Sequence, residues 1–259
     1  MISSIVLPTL THLISLDLAD CGLGVAEVAE LAAAIQAGAA VARLILDENP
    51  LTGGQFGSDF DKDITGVVNL CDTLKTSSVT ELSLAKCRLG PGSLGKLAEY
   101  VREAEAALNS VTLDSNGIFG TLGTWGEPDK FVDDCDAFLA ALKESNILTL
   151  SLQNTGIGPL TLRKLATSLP AALNSVTIDS TGSRKLSIGP PDYPSQEQVD
   201  ASGPRTYTLT VGEEKIDLSQ KNLGSADVTL VATWLKRPEV MAALNSLKCA
   251  NNPGMVGEL

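Results

Sequence analysis

The sequence predicts an α/β solenoid: a curved parallel β-sheet on the inside, helices on the outside, and about eight repeats arranged as four pairs. Three observations carry this expectation. The phrase AALNSVTLDS at residues 106–115 returns as AALNSVTIDS at 171–180 and, more loosely, as AALNSLKCAN at 242–251. Its apolar letters define a frame, LxxLxLxxN with Val or Ile allowed for Leu, that occurs eight times. The fourth frame position falls at Leu16, Leu44, Leu82, Val111, Leu150, Val176, Ile216 and Leu247, so successive steps are 28, 38, 29, 39, 26, 40 and 31 residues. Short and long steps alternate, which makes the building unit a pair of repeats of roughly 66 residues. A catalytic loop is needed once; a phrase written three times belongs to the architecture.

Each element follows from the frame. The alternating LxL letters form a short strand that points its leucines to one side. The residue that closes the frame turns inward, where an Asn amide can bond backbone groups of the turn that have left the ladder. A helix then returns the chain. After the odd frames, helices are expected at Val25–Ala37, Gly92–Ala107, Leu160–Leu169 and Ala226–Leu235, with Val28, Leu31 and Ile35 spaced as one face laid on the strands. The long steps carry insertions: GGQFGSDFDKD before a helix near Ile64–Leu74, and FGTLGTWGEPDKF before one at Val132–Leu142. After Thr181 comes SRKLSIGPPDYPSQEQVDASGPR, and then TYTLTVGEEKIDLS, which reads as two strands about a GEE turn. The expected division is 1–183 for six repeats, 184–205 for a Pro/Gly/Ser-rich insertion, and 206–259 for the last two repeats, continuous with the first block. Eight strands at ~4.8 Å would stack to about 35 Å. The chain stops in NNPGMVGEL, partway into a further repeat, and stacked repeats need a covered end. A fragment, or a partner contact through this uncapped repeat, is therefore expected.

With its alternating closures the chain resembles the leucine-rich repeat family, in particular the ribonuclease-inhibitor-like branch, in which LxxLxLxxC and LxxLxLxxN strands alternate. Cys21 and Cys87 stand at the Cys position of odd repeats, and Asn49, Asn116 and Asn252 at the Asn position of even ones. Thr155, Thr181 and Lys221 depart from the pattern, so irregular turns are expected in the fifth to seventh repeats. The resemblance implies a protein-binding module or scaffold, as a subunit or adaptor of a larger assembly. Its alternative implication is a regulator of a small GTPase, of the GTPase-activating type. Either function is fold-level analogy and says nothing of a particular site.

Composition narrows the partners. At 259 residues and 44% hydrophobic the chain can build a sizeable core, from Leu, Val, Ile and Ala because aromatics are only 4%. A net charge of −12 argues against nucleic acid and anionic membranes, which select basic surfaces. There is no run of about 18 apolar residues to insert in a bilayer. Five scattered cysteines, an odd number without a C-x-x-C pair, do not make a disulfide framework, so an intracellular reducing compartment such as the cytoplasm is expected.

No residue pattern points to catalysis, a metal or a cofactor, and no enzyme activity is expected. Asp47, Asp114 and Asp179 recur at one column of the strand-exposed concave face, with Arg43 and Lys86 alongside, but lie two repeats apart, about 10 Å, too far to share a proton. They form the weaker candidate contact. Asp59, Asp61 and Asp63 are spaced like the opening of a calcium loop, yet Ile64 and Leu70 stand where that loop needs Gly and Glu. His12 has no partner motif and reads as a surface or capping residue. Cys21 and Cys87 are expected as buried turn residues, Cys71 and Cys135 on apolar helix faces. The main candidates for partner binding are the aromatics of the insertions: Phe119, Trp125, Phe131, Phe56 and Tyr193. Trp125, in a Gly/Pro-rich loop, is either tucked onto its own repeat or presented to a partner.

Overall fold

A computed structural model describes residues 12–38, 40–54, 59–104, 108–123, 126–182 and 203–256. Six short strands lie side by side in chain order and parallel: β1 (Ser15–Asp17), β2 (Arg43–Ile45), β3 (Glu81–Ser83), β4 (Ser110–Thr112), β5 (Thr149–Leu152) and β6 (Ser175–Asp179). Their register matches the sequence frame. Leu16, Leu44, Leu82, Val111, Leu150 and Val176 are neighbours along one row of the ladder. From Leu44 to Val176 that row is buried, each side chain adding about 1.5–3 kcal/mol of apolar burial. Between these strands run α1 (Val25–Gln36), α2 (Thr65–Leu74), α3 (Pro91–Glu103), α4 (Asp136–Lys143) and α5 (Pro159–Ala166). Strand and helix side chains make one continuous core cluster. The α4 helix starts later than its apolar spacing suggests, because amide bonds from Val132 to Asp129 and from Asp134 to Phe131 close turns there first.

The turn that closes the frame repeats closely in all but the sixth repeat. Asp20, Glu48, Lys86, Ser115, Asn154, Gln220 and Asn251 all have positive φ, each one residue before its frame's closing position. Such a turn leaves carbonyls and amides unpaired, and the Asn of even repeats collects them. The Asn116 amide donates to Leu84 O at 2.7 Å and Leu113 O at 2.9 Å, while its carbonyl accepts the amides of Cys87 and Leu89 at 3.0 Å each. Asn49 makes the same set to Leu18, Leu46, Cys21 and Leu23. Each buried Asn therefore staples its own turn to that of the preceding odd repeat, which is why the sequence repeats in pairs.

The sixth repeat breaks the pattern. No described helix follows β6; instead β7 (Thr206–Thr210) pairs antiparallel with it, from Asp179 against Thr206 to Ser175 against Thr210. After a turn the chain forms β8 (Lys215–Asp217), α6 (Ser225–Trp234), α7 (Pro238–Ala243) and β9 (Ser246–Lys248), and ends its described part in a 3-10 turn at Pro253–Val256. β8 and β9 pair parallel in a second, two-stranded sheet. The expected single sheet of eight parallel strands is thus a seven-stranded, mostly parallel sheet plus a pair. The difference lies after β6, where the next described strand, β7, runs back antiparallel along it. With no described helix between them, α5 packs directly on α6. Arg237 ties the halves, stacking over the Trp234 ring at 4.8 Å and donating to the carbonyls of Pro170, Ala171 and Leu173. Among the described residues are seven α-helices, none long and apolar enough to cross a membrane.

Candidate interaction surface

The carboxylates of the exposed sheet face serve the sheet itself. Asp47 Oδ1 accepts the Ser83 hydroxyl at 2.7 Å and the Ala85 amide at 2.8 Å. Asp114 Oδ1 takes the equivalent pair, the Ser151 hydroxyl and the Gln153 amide, both at 2.8 Å. Main-chain bonds continue past the ladder, from Leu46 N to Ser83 O and from Glu48 N to Ala85 O, and the aspartate side chain takes the remaining amide of the following strand. The equivalent amides on β1 and β8, which have no parallel strand before them among the described residues, are covered locally. Ala19 N donates to Asp17 and Ser219 N to Asp217. The Ser219 amide and hydroxyl hold the Asp217 carboxyl below its usual range, whereas burial raises that of Asp114 despite its donors. Asp179 accepts from Asn154 N and the Thr206 hydroxyl, Arg43 pairs with Glu81, and Lys86 with Glu48. Every charged concave-face candidate thus has a neighbour within the protein.

The loop edge is built by helix N-termini. The four helices α1, α3, α5 and α6 all start after a glycine, which offers no side-chain cap. In α1 and α6 an acid one turn in, Glu27 or Asp227, bonds back to the glycine amide. In α3 and α5 that position is Ser93 or Thr161, and an aspartate from the insertion fills the gap. Asp61 accepts the amides of Gly90 and Ser93 and the Ser93 hydroxyl. Asp129 accepts those of Gly158, Leu160 and Thr161 at 3.0, 2.8 and 2.9 Å. An anion on these amides also faces the positive end of the helix dipole. Asp61 and Asp129 sit at φ 53° and 62°, a conformation Asp tolerates. The calcium-like DFDKD run is thus a capping segment, with Asp63 held below its usual range by Thr65. Among the described residues no group of three His, Cys, Asp or Glu side chains is placed to hold a metal.

The caps anchor the first insertion on α3 and the second on α5, and between the insertions lies a groove of about 450 Å³ lined by Phe60, Asp61, Ile64, Pro91, Gly92, Thr121 and Phe131. Phe131 is half-buried there. Phe119, expected beside it on the surface, is fully buried, because its amide bonds to Thr155 O and its carbonyl to Phe131 N, drawing its ring into the core. Phe56, Trp125 and Tyr193 lie outside the described residues. The sequence reading overlooked Ile64 and Pro91 as companions of Phe131. The acids capping a Gly-Pro helix start were the readable signal, since Gly90 and Gly158 each follow their aspartate by 29 residues.

A second cleft, about 370 Å³, lies beside the turns of β5 and β6, lined among others by Asn154, Gly156, Asp179 and Thr181. Behind it Asp227 is fully buried and accepts four donors: Thr181 N, the Thr181 hydroxyl, Gly224 N and the Tyr207 hydroxyl. Burial and this carboxylate push the Tyr207 hydroxyl well above its usual pKa. Burial raises the thiols of Cys71 and Cys87 to about 12. Cys21, expected to be buried, is exposed, since its repeat is the outermost described one on that side. At the other end Leu247 is 40% exposed, at the frame position that is buried from Leu44 to Val176, and Met241 on α7 is 69% exposed. No protein-family model matches the chain, and no curated protein is significantly similar to it.

Proposed function

We propose that the chain is a leucine-rich repeat protein of the ribonuclease-inhibitor-like kind, acting as a non-enzymatic scaffold or adaptor that binds another protein through its loop edge. The in-register leucine row and the paired Asn staples support the family reading. One observation carries the function: the two insertions, anchored by Asp61 on the start of α3 and by Asp129 on the start of α5, together line a largely apolar groove open to solvent. The concave carboxylates, by contrast, are engaged with neighbouring strands and give no concentrated binding energy. Free cysteines and an acidic surface support a protein partner in a reducing compartment over nucleic acid.

The test is native purification from the source cells with cross-linking and mass spectrometry. A stoichiometric protein cross-linked within residues 59–64 or 127–136 is the expected result. A chain recovered alone, or a partner joined only to the exposed sheet face, would overturn the proposal.

A further inference from the structure

Resting on the protein-binding reading above, we infer that the groove between the insertions takes a basic amphipathic segment of a partner protein, one that presents a leucine or aromatic side chain between lysines or arginines. The floor is apolar: Phe60, Ile64, Pro91 and Phe131 leave room for a side chain of that kind. The flanks are acidic. Residues 59–63 carry three aspartates against Lys62, and residues 127–136 carry five acids against Lys130. Part of that charge is engaged: Asp61 and Asp129 face helix N-termini, Glu127 pairs with Lys130, and Asp136 with Lys164. Asp63, Asp133 and Asp134 remain exposed, the last two directly beyond Phe131 and Val132. An acidic partner would meet like charge at this rim, and a neutral apolar segment would gain nothing from it. A cationic one is drawn in over about a Debye length, and its apolar residue then fills the groove. Net charge of −12 over the whole chain reinforces the same sign of attraction.

The experiment uses two fluorescein-labelled synthetic peptides with identical leucine spacing, one with lysines and one with glutamates at the remaining positions. Binding to the full chain is followed by fluorescence anisotropy, and the contact surface by hydrogen exchange. The lysine peptide is expected to bind saturably, to weaken with added salt, and to protect residues 60–64 and 127–132; the glutamate peptide is expected not to bind. Phe131→Ser and the double charge reversal D133K/D134K should each weaken binding by about tenfold or more. The reversal lies on exposed side chains and leaves the core intact, so it stands as the test if Phe131→Ser loses its thermal transition. Absence of lysine-peptide binding, equal binding of both peptides, or binding indifferent to the charge reversal would overturn the inference. A native partner cross-linked at the groove through a segment without basic residues would overturn it too, while leaving the protein-binding proposal standing.

Discussion

Removing the Asp227 carboxylate should uncouple the two halves of the protein. Oδ2 of Asp227 accepts three donors, Thr181 N at 2.9 Å, the Thr181 hydroxyl at 2.7 Å and Gly224 N at 2.8 Å, and Oδ1 accepts the Tyr207 hydroxyl at 2.8 Å. The group is fully buried, so each orphaned donor costs about 1–3 kcal/mol unless water reaches it. With partial relaxation, Asp227→Ala is expected to lose about 3–5 kcal/mol. Asp227→Asn can keep its oxygen on the three donors and turn its amide toward the tyrosine oxygen, so about 1–2 kcal/mol is expected. Tyr207→Phe removes one bond and leaves three, for about 1–1.5 kcal/mol. Urea denaturation of the four proteins, with hydrogen exchange read at Thr206–Thr210, measures the series. The β7 amides should open in Asp227→Ala before the first sheet does. If Asp227→Ala is no more destabilised than Tyr207→Phe, the carboxylate does not hold the junction and the reasoning fails.

Asp129→Ala removes three amide bonds from the start of α5 and puts alanine at φ 62°, so about 1–3 kcal/mol of stability should go; Asp129→Asn, which tolerates that φ, should lose less than half of this. Equal urea midpoints for wild type and Asp129→Ala would contradict the capping role. For thiol reactivity, iodoacetamide at pH 8 should modify Cys21 in the native protein while Cys71 and Cys87, raised to about 12 by burial, react only on unfolding, as read by mass spectrometry of peptides. Labelling of Cys87 at the rate of Cys21 would refute the placement. Asp114 titrates in the opposite sense to a salt-bridged carboxylate. Burial lifts its folded pKa above the usual 3.8, so the stability it lends is complete below that value and is lost as pH rises through the folded pKa. Asp114→Asn should therefore gain stability relative to wild type as pH increases from about 3.8, and a difference independent of pH would count against it.

How much of this was legible depends on the range of the interaction. The leucine row, the strand positions and the pairing of repeats follow from the letters, because every repeat meets the same nearest neighbours and each must fill the same slot. Irregular fifth to seventh turns were expected from the letters, but the fifth and seventh keep the positive φ of the others at Asn154 and Gln220; what changes is the bonding of the closing residue, Thr155 satisfying its own Leu152 carbonyl, Thr181 turning to Asp227 and Lys221 donating to Thr206. The burial of Phe119 was not legible. Composition marks it as one more aromatic in an insertion, and only the folded chain, with its amide on Thr155 O and its carbonyl on Phe131 N, separates the core ring from the groove ring.

By itself the sequence determined the period, the register and the closing residues, since these are local demands of a short strand followed by a turn at positive φ. Tertiary structure alone decided three things. It laid β7 antiparallel along β6, a pairing of segments separated by the insertion. It sent Asp61 and Asp129 to helices 29 residues further along, because a glycine start without a nearby acid leaves amides that some carboxylate must cover. And it brought Phe60 and Phe131, from insertions of different repeats, to one groove that no single repeat contains.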